Sequence, residues 1–378
     1  MYIKILIVLY VEVYLKMGPK LSATVSVVKL NDQILEFFKT NTRQQVRIKV
    51  KDDSILQLVN SLDGKKDIDQ LAEEQNIDRN ELQNLLDFLR IKGILDNVNP
   101  KSDFKGYEKY RRVIHFLSEY AVSHEHLLEM WENINSATVM IVGLGAVGTW
   151  VACNLAETGV GKLIFMDGDT VDITNLHRQY GFREEDVGKY KVDALEQRIH
   201  EYSEEIQIVK ISQYLEHDTL NKVGNVGADL IINCADKPNV DTTSLWIGEY
   251  CMQHDIPHII GGGYNMHLSL IGQTVLPGKT ACVKCFQTQL EKENHIDSSI
   301  VKKLAVKNRK VGSFAPMCSL IASMVGMEAV KVLTRYIEPS NTNRRGEFDI
   351  YTMDIKYKQY EKRDDCEWCG ENGKYCGA

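Results

Sequence analysis

Apolar residues follow two rhythms in this chain, and each marks a different kind of element. Thr138 to Val142 and Lys162 to Met166 are apolar, β-branched runs of strand type, and Ala146 to Glu157 between them continues as a helix. Leu230-Ile231-Ile232-Asn233 is a further apolar strand, and Cys318 to Leu333 reads as a late helix. Strand, helix and strand in succession predict a Rossmann-like, doubly wound α/β domain.

Residues 20 to 100 keep a different rhythm and read as a separate small module. Val46, Ile48 and Val50 alternate with Arg47 and Lys49, the mark of a half-buried strand. Ser54 opens a helix through Leu62, and Asp63-Gly64 makes a turn. Asp67 to Gln75 forms a second helix. Asp78-x-x-Glu81 predicts a capping box for a third, which places Leu82, Leu85, Leu86 and Leu89 on one face and stops at Gly93 before Ile94-Leu95. This is a winged-helix order. A DNA-reading role is disfavoured, because Glu81 and Asp87 lie beside Arg79, Arg90 and Lys92 on the third helix.

The strand ending at Val142 runs into Gly143-Leu144-Gly145-Ala146-Val147-Gly148. Such a turn lets backbone N–H groups approach phosphate at a helix N-terminus, but alone it marks NAD and ATP sites equally. Asp167, 19 positions after Gly148, suits a ribose hydroxyl. Asn175, Arg178 and Lys191 then add an amide and two cations, a set that fits a triphosphate better than a nicotinamide dinucleotide.

These signatures occur in a particular order. The glycine turn, Asp167-Gly168-Asp169-Thr170-Val171, Asn175-x-x-Arg178-Gln179, Val187-Gly188-x-x-Lys191 and Cys234-Ala235-Asp236 resemble the ThiF/MoeB/ubiquitin-activating adenylyltransferases over about residues 105 to 370. The resemblance implies that Gly143, Gly145, Gly148, Asp167 and Asp169 bind the nucleotide. Asn175, Arg178 and Lys191 would contact its phosphates, and Asp236 would hold Mg²⁺. It also implies a homodimer in which Arg112, or failing it Arg111, reaches the partner's site. The product would be an acyl adenylate with release of pyrophosphate, with an acyl phosphate left open as the alternative intermediate. A substrate carboxylate is already ionised at neutral pH, so the site must supply electrostatic stabilisation rather than a base.

Of nine cysteines, Cys282-x-x-Cys285 and Cys366-x-x-Cys369 form two pairs 81 residues apart. Two such pairs make a closed, structural four-thiolate zinc site, as members of the family carry, and the alternative is two unrelated thiol pairs. Cys153, Cys234, Cys251 and Cys318 sit in apolar runs and read as buried and inert, while Cys376 is a spare. Phe286 to Met317 contains no cysteine, where family members that pass their substrate to a thioester or persulfide carry one. The resemblance therefore implies direct use of the activated group.

The segment Val46 to Leu95 resembles the PqqD-like elements that capture a leader peptide as an added strand on a sheet edge. The boundaries implied are 20–100 for a leader-peptide recognition domain and 105–378 for the adenylation domain with its zinc site. Together they resemble the family's ribosomal-peptide modifying members, of the microcin C and pantocin A type. Gly261-Gly262-Gly263-Tyr264 and the later Leu276-Pro277-Gly278-Lys279-Thr280-x-Cys282 fit that type in order. His177, Tyr264, Asn265 and His267 are candidates for the acceptor site. The expected function is ATP-dependent activation of a carboxyl or amide of a precursor peptide, leading to dehydration or cyclisation in peptide antibiotic biosynthesis. The alternative is adenylylation of a ubiquitin-like sulfur carrier. Against that alternative, Lys237-Pro238-Asn239-Val240-Asp241 lacks the arginine many sulfur-carrier activators have there. A nucleotide-binding scaffold and an NAD-dependent oxidoreductase fit less well.

With 378 residues, two domains are expected. A net charge of −7 offers no basic footprint for nucleic acid. The uncharged run Ile5 to Val11 is far short of a membrane helix, so residues 1–16 read as a leading strand or an extension before Met17 rather than a signal peptide. Reduced thiols with zinc favour the cytoplasm.

Overall fold

The computed structural model describes residues 18–50, 54–96, 98, 104–224, 226–265, 268–295 and 312–376, with the side chains of Tyr264 and Asn265 left aside. The expectation for residues 1–16 lies outside them. The chain divides into two compact units, Met1–Leu128 and Glu129–Ala378.

In the first unit, β1 (Val25–Asn31), β2 (Ile34–Lys39) and β3 (Gln45–Lys49) form an antiparallel sheet in the order β1-β2-β3. Helices α1 (Ser54–Ser61), α2 (Ile68–Gln75) and α3 (Arg79–Ile91) follow, then α4 (Tyr107–Ser118). The alternation at Val46 and Ile48 marks β3, but β1 and β2 extend the sequence expectation by two strands. β1 leaves most of its residues exposed and so carries little hydrophobic signal, whereas β2 buries Leu35 and Phe37 completely. These two pack with Leu58, Leu71, Leu82, Leu86 and Leu89 in one core, and Leu85 is half-buried at its edge. A complete capping box forms one helix earlier than expected. Asp67 accepts from the Gln70 amide at 2.8 Å while the Gln70 side chain accepts from the Asp67 amide at 3.0 Å. Asp78 caps α3 by accepting from the amides of Asn80 and Glu81.

α5 (His124–Asn135) leads into the second unit and to β4 (Thr138–Val142), which opens its six-stranded sheet. The strands added in turn are β5 (Lys162–Met166), β6 (Gln207–Ile211), β7 (Leu230–Asn233), β8 (His258–Ile260) and β11 (Gln273–Val275). The order is β11-β8-β7-β4-β5-β6, parallel except for β11 on β8. After β4 the chain moves outward through β5 and β6, then returns to place β7 on the other side of β4. Strand order thus reverses between β4 and β7, and in such sheets ligands bind beyond the carboxyl ends at that reversal.

Helices α6 (Gly148–Thr158), α7 (Lys191–His200), α8 (Thr219–Val223) and α9 (Val240–Gln253) connect these strands. A second sheet, antiparallel and ordered β13-β12-β10-β9, is built from β9 (Gly263–Asn265), β10 (Leu268–Ile271), β12 (Arg344–Asp349) and β13 (Asp354–Gln359). α10 (Val283–Glu293) and α11 (Ala315–Thr334) complete the unit. α11 begins three residues before the expected Cys318, because Pro316 falls in its first turn, where a missing N–H breaks no helical bond. At 20 residues α11 is long and apolar enough to cross a membrane, yet it packs on α6, β9 and β10 as a core helix.

Candidate active site

A cavity of about 520 Å³ opens where β4, β5 and β7 end. Gly143, Gly145, Asp167, Asp169, Asn175, Arg178, Lys191 and Asp236 all line it, so residues spread over 94 positions of sequence meet in one place. Gly148 and His177 are not among its lining. Arg112 lies exposed on α4 in the first unit. His267 lies outside the described residues.

The three glycines have separate reasons to be glycine. Gly143 has φ +89°, a left-handed conformation, and a Cβ on it would meet the backbone of Cys234 and Ala235 at 2.7 Å. A Cβ on Gly148 would stand 2.0 Å from the Gly143 carbonyl oxygen, so its part is close packing of α6 against the turn. A Cβ on Gly145 would meet nothing within 4 Å, so here the backbone faces open cavity, as phosphate approach requires.

Asp167 ties the turn to the next loop. Its Oδ2 accepts from the Leu144 amide at 2.6 Å and its Oδ1 from the Asp169 amide at 2.7 Å. Burial pushes its carboxyl above the usual value, against the pull of the Lys191 charge and these two amides. Each oxygen keeps a lone pair for a further donor.

Asp169 is the centre of a charged group. The buried Lys191 ammonium lies 3.1 Å from its Oδ2, the Lys237 ammonium 2.8 Å from its Oδ1, and the Tyr214 hydroxyl donates to Oδ1 at 2.6 Å. Partial burial pushes the Asp169 carboxyl up, but the hydrogen bonds from Lys237 and Tyr214 and the charge of Lys191 outweigh it and hold it at about 2. Tyr214 and Lys237 were not singled out from the sequence. Both come from loops after strand ends, β6 and β7, where spacing within a motif says nothing about what folds across the cavity.

The Asn175-to-Gln179 segment is held from below by α6. Trp150 donates its indole N–H to the Arg178 carbonyl at 3.1 Å and stacks on Tyr180 at 4.3 Å. Arg178 spends one Nη1 bond on the Thr174 carbonyl at 2.7 Å. Among the described residues, its buried Nε and the Oε1 of Gln179, a residue only 4% exposed, have no hydrogen-bond partner. Buried polar atoms left open beside a cavity are what a site for a polar ligand looks like without its ligand. Asp236 stands exposed just beyond β7, with its carboxylate lining the cavity. Burial pushes the neighbouring Cys234 thiol up to about 12, so it is no nucleophile at neutral pH. Cys153 is held at about 11 in the same way, and Cys318 is fully buried.

Away from the cavity, the sulfurs of Cys282, Cys285, Cys366 and Cys369 lie within 4.8 Å of one another. The closest pairs are 3.4, 3.6 and 3.9 Å apart. Four sulfurs about 2.3 Å from a central Zn²⁺ stand about 3.8 Å apart at tetrahedral angles, so the donor set fits that ion. Phe286, Tyr360, Trp368 and Tyr375 pack around the cluster.

A doubly wound sheet with an anion cradle, paired cations and a free carboxylate at its strand reversal defines an enzyme that acts on a nucleoside phosphate. Residues 120–369 match the ThiF family, and the chain belongs to it. Its members are ATP-dependent adenylating enzymes. The molybdopterin-synthase adenylyltransferase of Salmonella typhimurium is 27% identical over 240 residues, which covers 64% of this chain and 90% of that protein. Among solved structures, Escherichia coli MccB with MccA-N7isoASN matches at a TM-score of 0.75 and 22% identity, covering 94% of this chain and all of that one. PaaA matches at 0.68 and 22%, over 90% of this chain and all of that one.

Proposed function

We propose that this enzyme uses MgATP to activate a carboxyl or amide of a ribosomally made precursor peptide, which then loses water or cyclises on the way to a peptide antibiotic. The observation that carries the ATP-dependent step is the cavity, with its open glycine backbone and its cations converging on one carboxylate. Peptide as the substrate is supported by the span of the likeness to MccB, which at 94% of the chain takes in the first unit, whereas the molybdopterin relative matches 64%. MccB has been solved with its MccA peptide. In this reading residues 20–100 of the first unit, three strands and three helices with exposed sheet edges, are the winged-helix leader-binding module.

On this reading the Gly143–Gly145 backbone cradles the phosphates, and Asp167 accepts from the ribose. Asn175, Arg178 and Lys191 contact the phosphates, with Arg112 supplied by the second subunit of a homodimer. Asp236 would hold Mg²⁺, which neutralises phosphate charge when bound. A substrate carboxylate oxygen attacks the α-phosphorus, the bond from that phosphorus to the bridging oxygen breaks, and pyrophosphate leaves with the electron pair. No proton moves. When a peptide nitrogen later displaces AMP, the acyl oxygen departs on AMP and the nitrogen releases its proton, so the peptide has lost the elements of water. The zinc cluster serves structure alone, and its thiols suit a reducing cytoplasm.

A second reading is favoured by the molybdopterin relative: adenylylation of the Gly-Gly tail of a sulfur carrier. Mass spectrometry after incubation with MgATP and a candidate peptide separates the two. Loss of water from a peptide encoded beside the enzyme is expected. Adenylylation of a carrier tail with no change in any peptide would overturn the first reading in favour of the second.

A further inference from the structure

Resting on that ATP-dependent reading, we propose that Lys237 is a catalytic residue whose ammonium joins Lys191 on the phosphate oxygens of bound ATP, while Asp169 is the counter-anion that holds both lysines until the nucleotide arrives. Lys191 and Lys237 sit on the two oxygens of a single carboxylate, at 3.1 and 2.8 Å. A carboxylate and a phosphoryl group offer oxygen pairs of similar spacing, which is why one guanidinium fork suits both. Two ammoniums that converge on Asp169 are therefore already arranged to converge on a phosphate.

The surroundings of Lys237 leave it free to make that exchange. Its side chain is 60% exposed, against 6% for Lys191, so it keeps the mobility of a four-carbon stem. The Tyr214 ring lies 4.8 Å from its ammonium, and the same tyrosine donates to Asp169. That ring packs so closely on Gly168 that a Cβ there would stand 2.9 Å from it, so one face of Tyr214 is backed by the acidic loop while the rest stays open to solvent.

Charge decides the matter more sharply than distance. Among the described residues, the ionised groups lining the cavity are Asp167, Asp169 and Asp236 against Arg178, Lys191 and Lys237. With Lys237 the site is neutral before the nucleotide enters. Without it three carboxylates face only two cations, and with Asp236 turned to the magnesium ion Lys191 and Arg178 alone would meet the phosphate charge. Arg178 and Lys191, the cations legible in the sequence signatures, do not balance the acids by themselves.

The test is titration calorimetry with MgATP, and competition with adenosine, on the full-length protein and three variants. Lys237→Met is expected to weaken MgATP by about 10- to 100-fold, as loss of a charge-assisted bond does, while adenosine changes less than about threefold. Lys237→Arg should recover MgATP to within about threefold. Lys237→Met with Asp169→Asn restores neutrality without the contact and should recover only part of the loss. Equal weakening of MgATP and adenosine would reveal a merely structural lysine and overturn the proposal, as would unchanged MgATP affinity in Lys237→Met. Should the wild-type protein itself not bind MgATP, the ATP-dependent reading falls and this one with it. An unaffected Lys237→Met beside a binding wild type removes only the lysine.

Discussion

Alanine at Gly145 and alanine at Gly148 add the same methyl group three residues apart, with opposite expected effects. At Gly148 the new Cβ stands 2.0 Å from the Gly143 carbonyl oxygen and 3.3 Å from the Cys234 Cβ. The first contact is backbone, so α6 or the turn must shift. Overpacking of this kind costs about 1–3 kcal/mol, which in a unit of this size lowers the unfolding midpoint by roughly 2–12 °C. At Gly145 the Cβ meets nothing within 4 Å, and φ there is not in the left-handed region. Stability should hold, or rise by about 0.4–1 kcal/mol as the unfolded chain loses freedom. The methyl does, however, occupy the space through which phosphate reaches the backbone. A displacement of about 1 Å there is expected to weaken MgATP or slow its turnover by roughly 100-fold. Thermal unfolding with and without MgATP reads both quantities in one experiment. Gly145→Ala should melt like wild type but lose the upward shift with nucleotide, and Gly148→Ala should melt lower throughout. A Gly145→Ala protein with wild-type nucleotide affinity would refute the assignment of open backbone to phosphate.

Metal analysis should find one zinc per chain, and Cys366→Ser should lose it together with stability, since Trp368 and Tyr375 pack around the same cluster; zinc-free wild type grown with ample zinc would contradict this. Glu328, buried in α11, accepts from the Ser340 and Asn341 amides, Lys331 and the Thr274 hydroxyl. Burial pushes its carboxyl up, but the Lys331 bond and the two amides outweigh it and hold it below its usual value. Its stabilisation is therefore complete above about pH 4.3, the unfolded value, and fades as pH falls through the lower folded one. Glu328→Gln should cost about 1–3 kcal/mol at neutral pH, with the gap to wild type narrowing in acid denaturation series; a gap that stayed constant or widened as pH fell would contradict this. Asp236→Ala should abolish nucleotide turnover while leaving the fold intact, because the residue is exposed. Mixing that variant with Arg112→Ala should recover part of the activity in hybrid dimers, and no recovery would count against a shared site.

Three of the parallel strands, β4, β5 and β7, were legible because burial on both faces demands uninterrupted apolar residues, whereas the half-exposed edge strand β6 and the three-residue β8 were not. β4 and β5 begin and end where the sequence places them, and β7 coincides with Leu230–Asn233. β1 was not, since Val25–Asn31 is mostly exposed and its pairing with β2 is decided by contacts far along the chain. The site divides in the same way. Groups anchored to the first turns after strands, such as Gly143 and Asp167, follow from local spacing, and Asp236 entered through the family resemblance at the end of an apolar strand. Tyr214 and Lys237 join Asp169 across 45 and 68 positions, and only the closed sheet brings them there. Gln179 lay within a quoted signature, but nothing in its spacing announced an unpaired buried oxygen.

Because Asp167 grips the Leu144 and Asp169 amides with its two oxygens, the glycine turn and the acidic loop form one preassembled clamp. Substitution of this residue therefore tests two things at once. Asparagine offers one acceptor where two backbone donors wait, so the clamp would loosen whether or not a sugar were ever bound. Lost activity in such a variant reports architecture before it reports recognition, and the distinction has to come from ligands that lack the ribose hydroxyls.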